Sequence, residues 1–201
     1  MAEQLSNRSL FGGAIVCNFA HRFQDVCDVR QVPDHQEAFV DPGRDESLIF
    51  ELLDFKHDVL DNGSATWFFQ DLASEQDAGG TMVIEQSGAF EAEWLRFRNM
   101  PAVVTTAVGQ MAISKGRQGR EAQNIVKVYL ANLRLKEVGT DVLITAYEPL
   151  LINHLSESAN AVGAGLAVPA AQSGFMPMDD VFKAAVSSFR VLDWSLFGSH
   201  A

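Results

Sequence analysis

Several features of metal-binding, nucleotide-binding and catalytic proteins are scarce or missing in this sequence of 201 residues. It has two cysteines and five histidines, and neither set contains the closely spaced pairs that hold structural zinc. It has no phosphate loop, no nucleophile elbow and no H-E-x-x-H motif, so we assign no catalytic residue, no metal site and no cofactor. Basic residues are few as well, 15 against 26 acidic ones, which leaves a formal charge of −11. That charge disfavours nucleic acid and anionic membranes, and it favours a basic protein partner.

Targeting signals are also lacking. The first eight residues have neither the basic start and apolar stretch of a secretory signal nor the acid-free composition of a transit peptide. The charge-free run from Ser158 to Met178 is interrupted by glycines, Pro169 and Pro177, so it predicts no transmembrane helix. With 47% hydrophobic residues, the chain predicts one intracellular domain over residues 1–201, and a monomer is favoured.

Period-two patterns and β-rich composition predict a sheet. Strands are expected at residues 13–19, 36–40, 81–87, 102–114, 125–135 and 141–148. The turn Asp41-Pro42-Gly43 ends the second strand. Because the last four strands follow one another with short links, they predict an antiparallel meander.

Helical spacing of apolar residues predicts three helices. The first begins at Asp45 or Ser47, the second is capped by Ser64, and the third spans residues 178–189. Their inward-facing residues are Leu48, Leu52, Phe55 and Val59; then Trp67, Phe68 and Leu72; then Met178, Val181, Phe182, Ala185 and Phe189. The fold class is therefore α+β, with helices packed on a mainly antiparallel sheet.

The segment 156–174 is dominated by Ala, Gly and Ser and predicts no regular element. We interpret it as a flexible surface insertion, since long structureless loops are uncommon inside compact domains.

Two charged segments are candidates for binding. In Val32-Pro33-Asp34-His35-Gln36-Glu37, the proline stiffens the chain, so Asp34 and Glu37 are displayed with little entropy left to lose on binding. The alternative, which the pattern alone favours, is that Asp34 caps a turn and Glu37 is an ordinary exposed strand residue. The basic segment 115–120 has the composition to hold a phosphate, but a solvated loop between strands is its ordinary role.

Five motifs, in the same order along nearly the whole chain, resemble the Mog1 family of Ran-binding nucleotide release factors. They are Leu10-Phe11-Gly12-Gly13-Ala14-Ile15, Val32-Pro33-Asp34-x-Gln36-Glu37, Ser47-Leu48-Ile49-x-Glu51-Leu52-Leu53, Thr140-Asp141-Val142-Leu143-Ile144 and Asp193-Trp194-Ser195-Leu196-Phe197. The central loop and the Ala/Gly-rich segment are similar to the plant branch of that family. The resemblance implies a curved six-stranded antiparallel sheet flanked by helices, a fold shared with the PsbP extrinsic proteins of photosystem II.

The resemblance also implies a function and a site. It implies a non-catalytic factor that binds the small GTPase Ran, promotes guanine nucleotide release and supports nuclear import, in the nucleus and the cytoplasm. It places Ran binding on Asp34 and Glu37. Four further charged residues lie near the motif in sequence and extend the expected surface by proximity alone: Asp25, Arg30, Asp45 and Glu51.

Two other functions stay open. A PsbP-like subunit of a thylakoid complex fits the same fold, although the missing targeting segment argues against it. An enzyme or small-molecule carrier would use a pocket between the sheet and its helices, and the aromatic residues available to line it are Trp67, Phe68, Trp94 and Phe97. Such aromatic residues are more often plain core.

Overall fold

The computed structural model describes residues 3–116 and 118–198. Within these ranges the chain forms eleven strands and three α-helices, joined by short 3-10 turns. The strands are β1 (Leu5–Leu10), β2 (Ile15–Ala20), β3 (Gln24–Asp25), β4 (Gln36–Asp41), β5 (Glu46–Asp54), β6 (Val83–Phe97), β7 (Met100–Ser114), β8 (Gln123–Leu135), β9 (Thr140–Ile152), β10 (Gly165–Leu166) and β11 (Arg190–Val191). The helices are α1 (Ser64–Glu75), α2 (Ser158–Val162) and α3 (Met178–Ser188).

The larger of two sheets has the strand order β3-β4-β5-β9-β8-β7-β6, with β10 also paired to β9. All of these pairings are antiparallel, so the predicted class and the meander β6 to β9 are confirmed. The six-stranded sheet that the resemblance implies corresponds to the six longer strands β4 to β9, and β3 and β10 add two residues each. Of the six strands predicted from the pattern, five lie in this sheet, whereas the one at residues 13–19 corresponds to β2, which belongs to a separate sheet. β6 extends to Phe97, well past its predicted end at residue 87. The prediction stopped early because the second half of this edge strand carries exposed charges such as Glu91 and Glu93, which are also typical of a loop.

The first predicted helix is wrong, because residues 46–54 form the strand β5. This strand lies between β4 and β9, where Phe50 is opposite both Glu37 and Ile144. Leu48 and Phe50 are buried on one face and Ile49 is half-buried on the other. An almost continuous apolar run is typical of a strand covered on both faces, and this pairing overrides the helical spacing of Leu48 and Leu52.

A second, three-stranded sheet with the order β1-β2-β11 packs with α3 against one face of the larger sheet. Their contact forms the main core, which includes Phe19, Phe50, Leu133, Ile144 and Phe189. Helix α3 therefore confirms the third predicted helix. We call this side of the larger sheet the α3 face.

The opposite face of the larger sheet carries α1, and we call it the α1 face. The second predicted helix is confirmed, but Ser64 does not cap it: Gly63 occupies the N-cap, and the Ser64 hydroxyl donates to the Asp61 carbonyl at 3.0 Å. Gly109 in β7 is required here, because a Cβ at this position would lie 2.1 Å from the Val83 carbonyl oxygen. The bare backbone lets the β6 edge approach closely.

The segment 156–174 does contain regular structure, contrary to the prediction. It includes α2, β10 and a 3-10 turn at Ala170–Ser173. The buried Asn124 amide donates to the hydroxyls of Ser156 (2.9 Å) and Ser158 (3.2 Å), which holds the start of the segment to β8. The sequence signal is weak because small residues make these elements short. The flexibility of the segment and the single-domain organisation stay predictions.

Candidate partner-binding surface

The segment Val32 to Glu37 forms a turn fastened to the sheet. The Pro33 carbonyl accepts a hydrogen bond from the Gln36 amide at 2.9 Å, and the His35 carbonyl accepts one from the Leu52 amide at 2.9 Å. Asp34 is exposed at this turn. Within the described residues no hydrogen bond or ion pair engages its carboxylate, so this charge is available to a partner on a fixed piece of backbone.

Glu37 has a different environment from Asp34. Its side chain is half-buried, and its Oε1 accepts a hydrogen bond from the backbone N–H of Phe11, in the 3-10 turn that joins β1 and β2. Burial raises the pKa of the Glu37 carboxyl; the Phe11 N–H partly offsets this, and the nearby Asp25 carboxylate raises the pKa further. Glu37 is therefore not an ordinary exposed strand residue, because it also connects the two sheets.

Asp25 shares the α3 face with Glu37, because it is directly opposite Phe39, two residues along β4. Its Oδ1 accepts a hydrogen bond from the Cys27 amide at 2.8 Å. Asp25 and Arg8 line one open surface cleft of about 550 Å³. We call Asp25, Asp34 and Glu37 together the acidic edge.

The other three predicted residues lie toward the α1 face. The Gln36 amide donates to Glu51 Oε2 at 2.8 Å. Asp45 forms an ion pair with Lys115. Asp45 and Arg30 both line a groove on the α1 face. The six predicted residues are thus divided between the two faces of the sheet, with Asp34 at the turn between them.

Two further acidic residues near the motif are not available to a partner. Asp41 and Glu46 are buried, and arginines neutralise them. Arg22 lies 3.0 Å from Asp41 Oδ2 and 2.7 Å from Glu46 Oε2, while Arg44 Nε lies 3.0 Å from Glu46 Oε1. This network closes the turn between β4 and β5, so these two carboxylates are engaged within the protein, in contrast to the exposed carboxylate of Asp34.

Sequence reasoning missed the groove on the α1 face. It has a volume of about 440 Å³, and its floor includes Ala38 and Val40 from β4 and Ile49 from β5. The available signal was the alternation of these residues with Glu37, Phe39 and Phe50, which point to the α3 face. The prediction of a helix from Asp45 or Ser47 hid the alternation in β5, and with it the pairing of β5 with β4 that forms the floor.

The aromatic pocket predicted for an enzyme or carrier is not formed. Trp67 and Phe68 pack in the core on the α1 face, whereas Trp94 and Phe97 pack against the core on the α3 face. The two pairs lie on opposite sides of the sheet, so they do not line one cavity.

Other chemically relevant features are limited. Among residues 3–116 and 118–198 no group of three His, Cys, Asp or Glu side chains is arranged to hold a metal ion. Cys17 is buried in β2, where its thiol donates to the Ala185 carbonyl at 3.1 Å and burial raises its pKa to about 12. Such a thiol is not a nucleophile at neutral pH.

Arg117 of the basic segment and His200 lie outside the described residues. In the described part of the chain, none of the helices has both the length and the apolar character that crossing a membrane requires.

These features define an α+β protein with a carboxylate-rich edge suited to binding another protein. Residues 8–149 match the family model described as Ran-interacting Mog1 protein. The chain belongs to the Mog1 family.

Individual relatives agree with this assignment. The chain is 34% identical to the Ran guanine nucleotide release factor of Danio rerio, with 96% of this chain and 100% of that protein covered. It is 34% identical to a probable ran guanine nucleotide release factor of Dictyostelium discoideum, with 98% of each covered. It is 28% identical to the nuclear import protein mog1 of Schizosaccharomyces pombe, over 70% of this chain and 75% of that protein.

The fold has a counterpart among solved structures. The crystal structure of the Saccharomyces cerevisiae Ran-binding protein Mog1p matches with a TM-score of 0.66 and 21% identity, covering 98% of this chain and 100% of that one. This similarity confirms the expected fold.

Proposed function

We propose that this protein binds Ran, promotes release of its guanine nucleotide and so supports nuclear import, in the nucleus and the cytoplasm. The family and the names of relatives that match almost the whole chain support this function. The observation that carries it is the Asp34 carboxylate, which is exposed, without a partner among the described residues, and displayed on a turn fastened to β4 and β5.

The proposed mechanism is differential binding. A release factor that binds the nucleotide-free GTPase more tightly than the nucleotide-bound form must, by linkage, weaken nucleotide affinity by the same factor. Equal affinity for the two forms would release nothing. Carboxylates suit this task because they form charge-assisted hydrogen bonds with lysines and arginines that would otherwise hold phosphate. The protein therefore acts without covalent chemistry and without a cofactor.

The predicted residues take different roles in this proposal. Asp34 makes the first contact, because its carboxylate is exposed and has no partner among the described residues. Glu37 makes a second contact, and for this its carboxylate must share or exchange the Phe11 N–H. Asp25 adds to the field of the acidic edge, whereas Arg30, Asp45 and Glu51 contribute only if the partner reaches the α1 face.

The direct test is release of a fluorescent nucleotide from Ran, combined with calorimetric binding at low salt. We expect Asp34→Ala and Glu37→Gln each to weaken binding about tenfold, the loss of one charge-assisted contact. Glu37→Gln retains an oxygen that accepts from the Phe11 amide, so the fold is kept. Asp71→Ala, at an exposed position of α1, is the matched control. Wild-type binding by both variants, or no release by the wild-type protein, contradicts the proposal.

Ionic strength gives an independent test. Because the protein carries a charge of −11, association with a basic surface should slow as salt is added, and Asp34→Ala should reduce that slope. An association rate that does not change with salt would point instead to an apolar interface.

A further inference from the structure

The groove on the α1 face is open to solvent, and its floor is lined by apolar side chains that are buried or half-buried. Ala38 and Ile49 are directly opposite each other on β4 and β5, and Val40 is opposite Ser47 in the same two strands. Helix α1 packs on β6, β7 and β8, so this part of the sheet is left uncovered by it. Ile49 and Val40 are half-buried, and an apolar floor inside a concave surface is typical of a binding site.

The rim of the groove is charged and includes residues of the predicted surface. Arg30 and Asp45 both line the groove, and the Asp45–Lys115 ion pair joins the turn after β4 to the end of β7. Ala38 directly follows Glu37 in β4, and its side chain points to the opposite face. The Asp34 turn leads directly into β4, which contributes Ala38 to the floor of the groove, so a partner bound at this turn is close along the chain to that floor.

The acidic edge alone does not make a long-lived complex. Exposed charges act mainly on the rate of encounter, whereas differences in affinity arise mostly from the dissociation rate. Slow dissociation usually depends on a few apolar or aromatic side chains buried in pockets at the centre of the contact. Of the surfaces next to the acidic edge, the groove has the apolar floor that such an anchor needs.

We propose that the groove receives an apolar side chain of the GTPase partner, which anchors the complex beside the acidic edge. This inference rests on the proposed function. The volume of about 440 Å³ accommodates a large aliphatic or aromatic side chain together with part of its neighbour. A second copy of this chain is a poorer occupant, because each copy carries a charge of −11 and like charges repel.

Two substitutions in the groove and one outside it form the test. Ile49→Asn replaces the apolar floor by an amide, and Ser47→Trp fills the groove with a new ring without removing core. Ile125→Asn is the matched control: it changes the same residue type, on β8, at a 38% exposed position that is opposite Leu151. Melting curves establish that each variant is folded, and surface plasmon resonance with nucleotide-free Ran gives both rate constants.

We expect Ile49→Asn and Ser47→Trp to raise the dissociation rate about tenfold or more, as loss of a central anchor does, with little change in association rate or its salt dependence. Ile125→Asn should stay within about twofold of wild type. If Ser47→Trp is folded and dissociates at the wild-type rate, the inference is overturned, even when Asp34→Ala weakens binding and the proposed function stands. A wild-type dimer that Ile49→Asn turns into a monomer assigns the groove to a second copy and also overturns it. If the wild-type protein does not bind Ran, both proposals fail.

Discussion

Two sets of charged residues on the same sheet are used in opposite ways. At the ends of β8 and β9, Arg134 and Asp141 are completely buried, 3.0 Å apart, and the guanidinium also donates to the carbonyls of Lys56 and Val59 at 2.6 Å each. At the edge beside β4, Asp34 is exposed and unpaired among the described residues, and Glu37 is only half-buried. The first set has its hydrogen-bonding capacity filled within the protein, and the second does not.

This difference shows which charges maintain the fold and which remain for a partner. Arg134 stacks on the Phe55 ring at 4.1 Å and fastens the chain between β5 and α1. Asp141 accepts hydrogen bonds from the Lys56 amide at 2.8 Å and from the Asn132 amide at 3.1 Å. Buried ion pairs of this kind hold their surroundings in one arrangement, whereas breaking them leaves an uncompensated charge.

The largest expected effect comes from breaking the buried pair. Arg134→Met leaves the Asp141 carboxylate buried without its cation, and we expect it to lower the free energy of unfolding by about 3–5 kcal/mol in urea titrations. Arg120→Met removes an exposed pair with Asp77 and should leave stability nearly unchanged. A loss below about 1 kcal/mol for Arg134→Met would mean that the buried cluster does not support the fold.

The next effect, on pH dependence, separates the two roles of Glu37. Burial raises the pKa of the Glu37 carboxyl in the folded protein above its usual 4.5. The contribution of this group to the free energy of unfolding is therefore full at pH values below 4.5, and it is lost as the pH rises through the raised pKa. Binding follows the opposite trend, because a cation of the partner needs the ionised form. Affinity for Ran should therefore fall as the pH is lowered from neutral, and the fall should begin at a higher pH than it would for an unperturbed glutamate.

Glu37→Gln is the control for this pH dependence. Calorimetry across the same pH range should give a flatter affinity profile for the variant than for the wild-type protein. Identical profiles would show that the carboxylate makes no contact with the partner.

The smallest effect is expected at the partly exposed ion pair between Lys115 and Asp45 on the rim of the groove. Lys115→Met releases Asp45 and should change stability by less than about 1 kcal/mol. Because the freed carboxylate can then meet a basic partner, we expect Ran affinity to rise about twofold to threefold at low salt. Adding Asp45→Asn to Lys115→Met should remove this gain in affinity in the same assay. A loss of affinity in Lys115→Met alone would mean that the lysine, and not Asp45, contacts the partner.

The sequence was informative where local pattern and tertiary environment agree. The meander β6 to β9, α1, α3 and the turn at Asp41 followed from alternation, helical spacing and turn residues. The strand β5 did not, because Leu48, Leu52 and Phe55 also match a helix and only pairing with β4 and β9 decides between the two. Within the acidic edge, Asp34 and Glu37 came from a family motif and Asp25 from its proximity to that motif, but the Phe11 contact of Glu37 and the groove depend on strands distant in sequence.

The order of the small sheet has a consequence for how the chain is made. In this sheet β2 lies between β1 and β11, and Val16 and Ile15 are opposite Arg190 and Val191. During synthesis β1 and β2 emerge before every strand of the larger sheet, and β11 emerges after all of them. One edge of β2 therefore has no strand beside it while the larger sheet is being made. Non-local pairing of this kind slows folding, and until β11 is made the open edge of the apolar β2 is a site where another chain could pair.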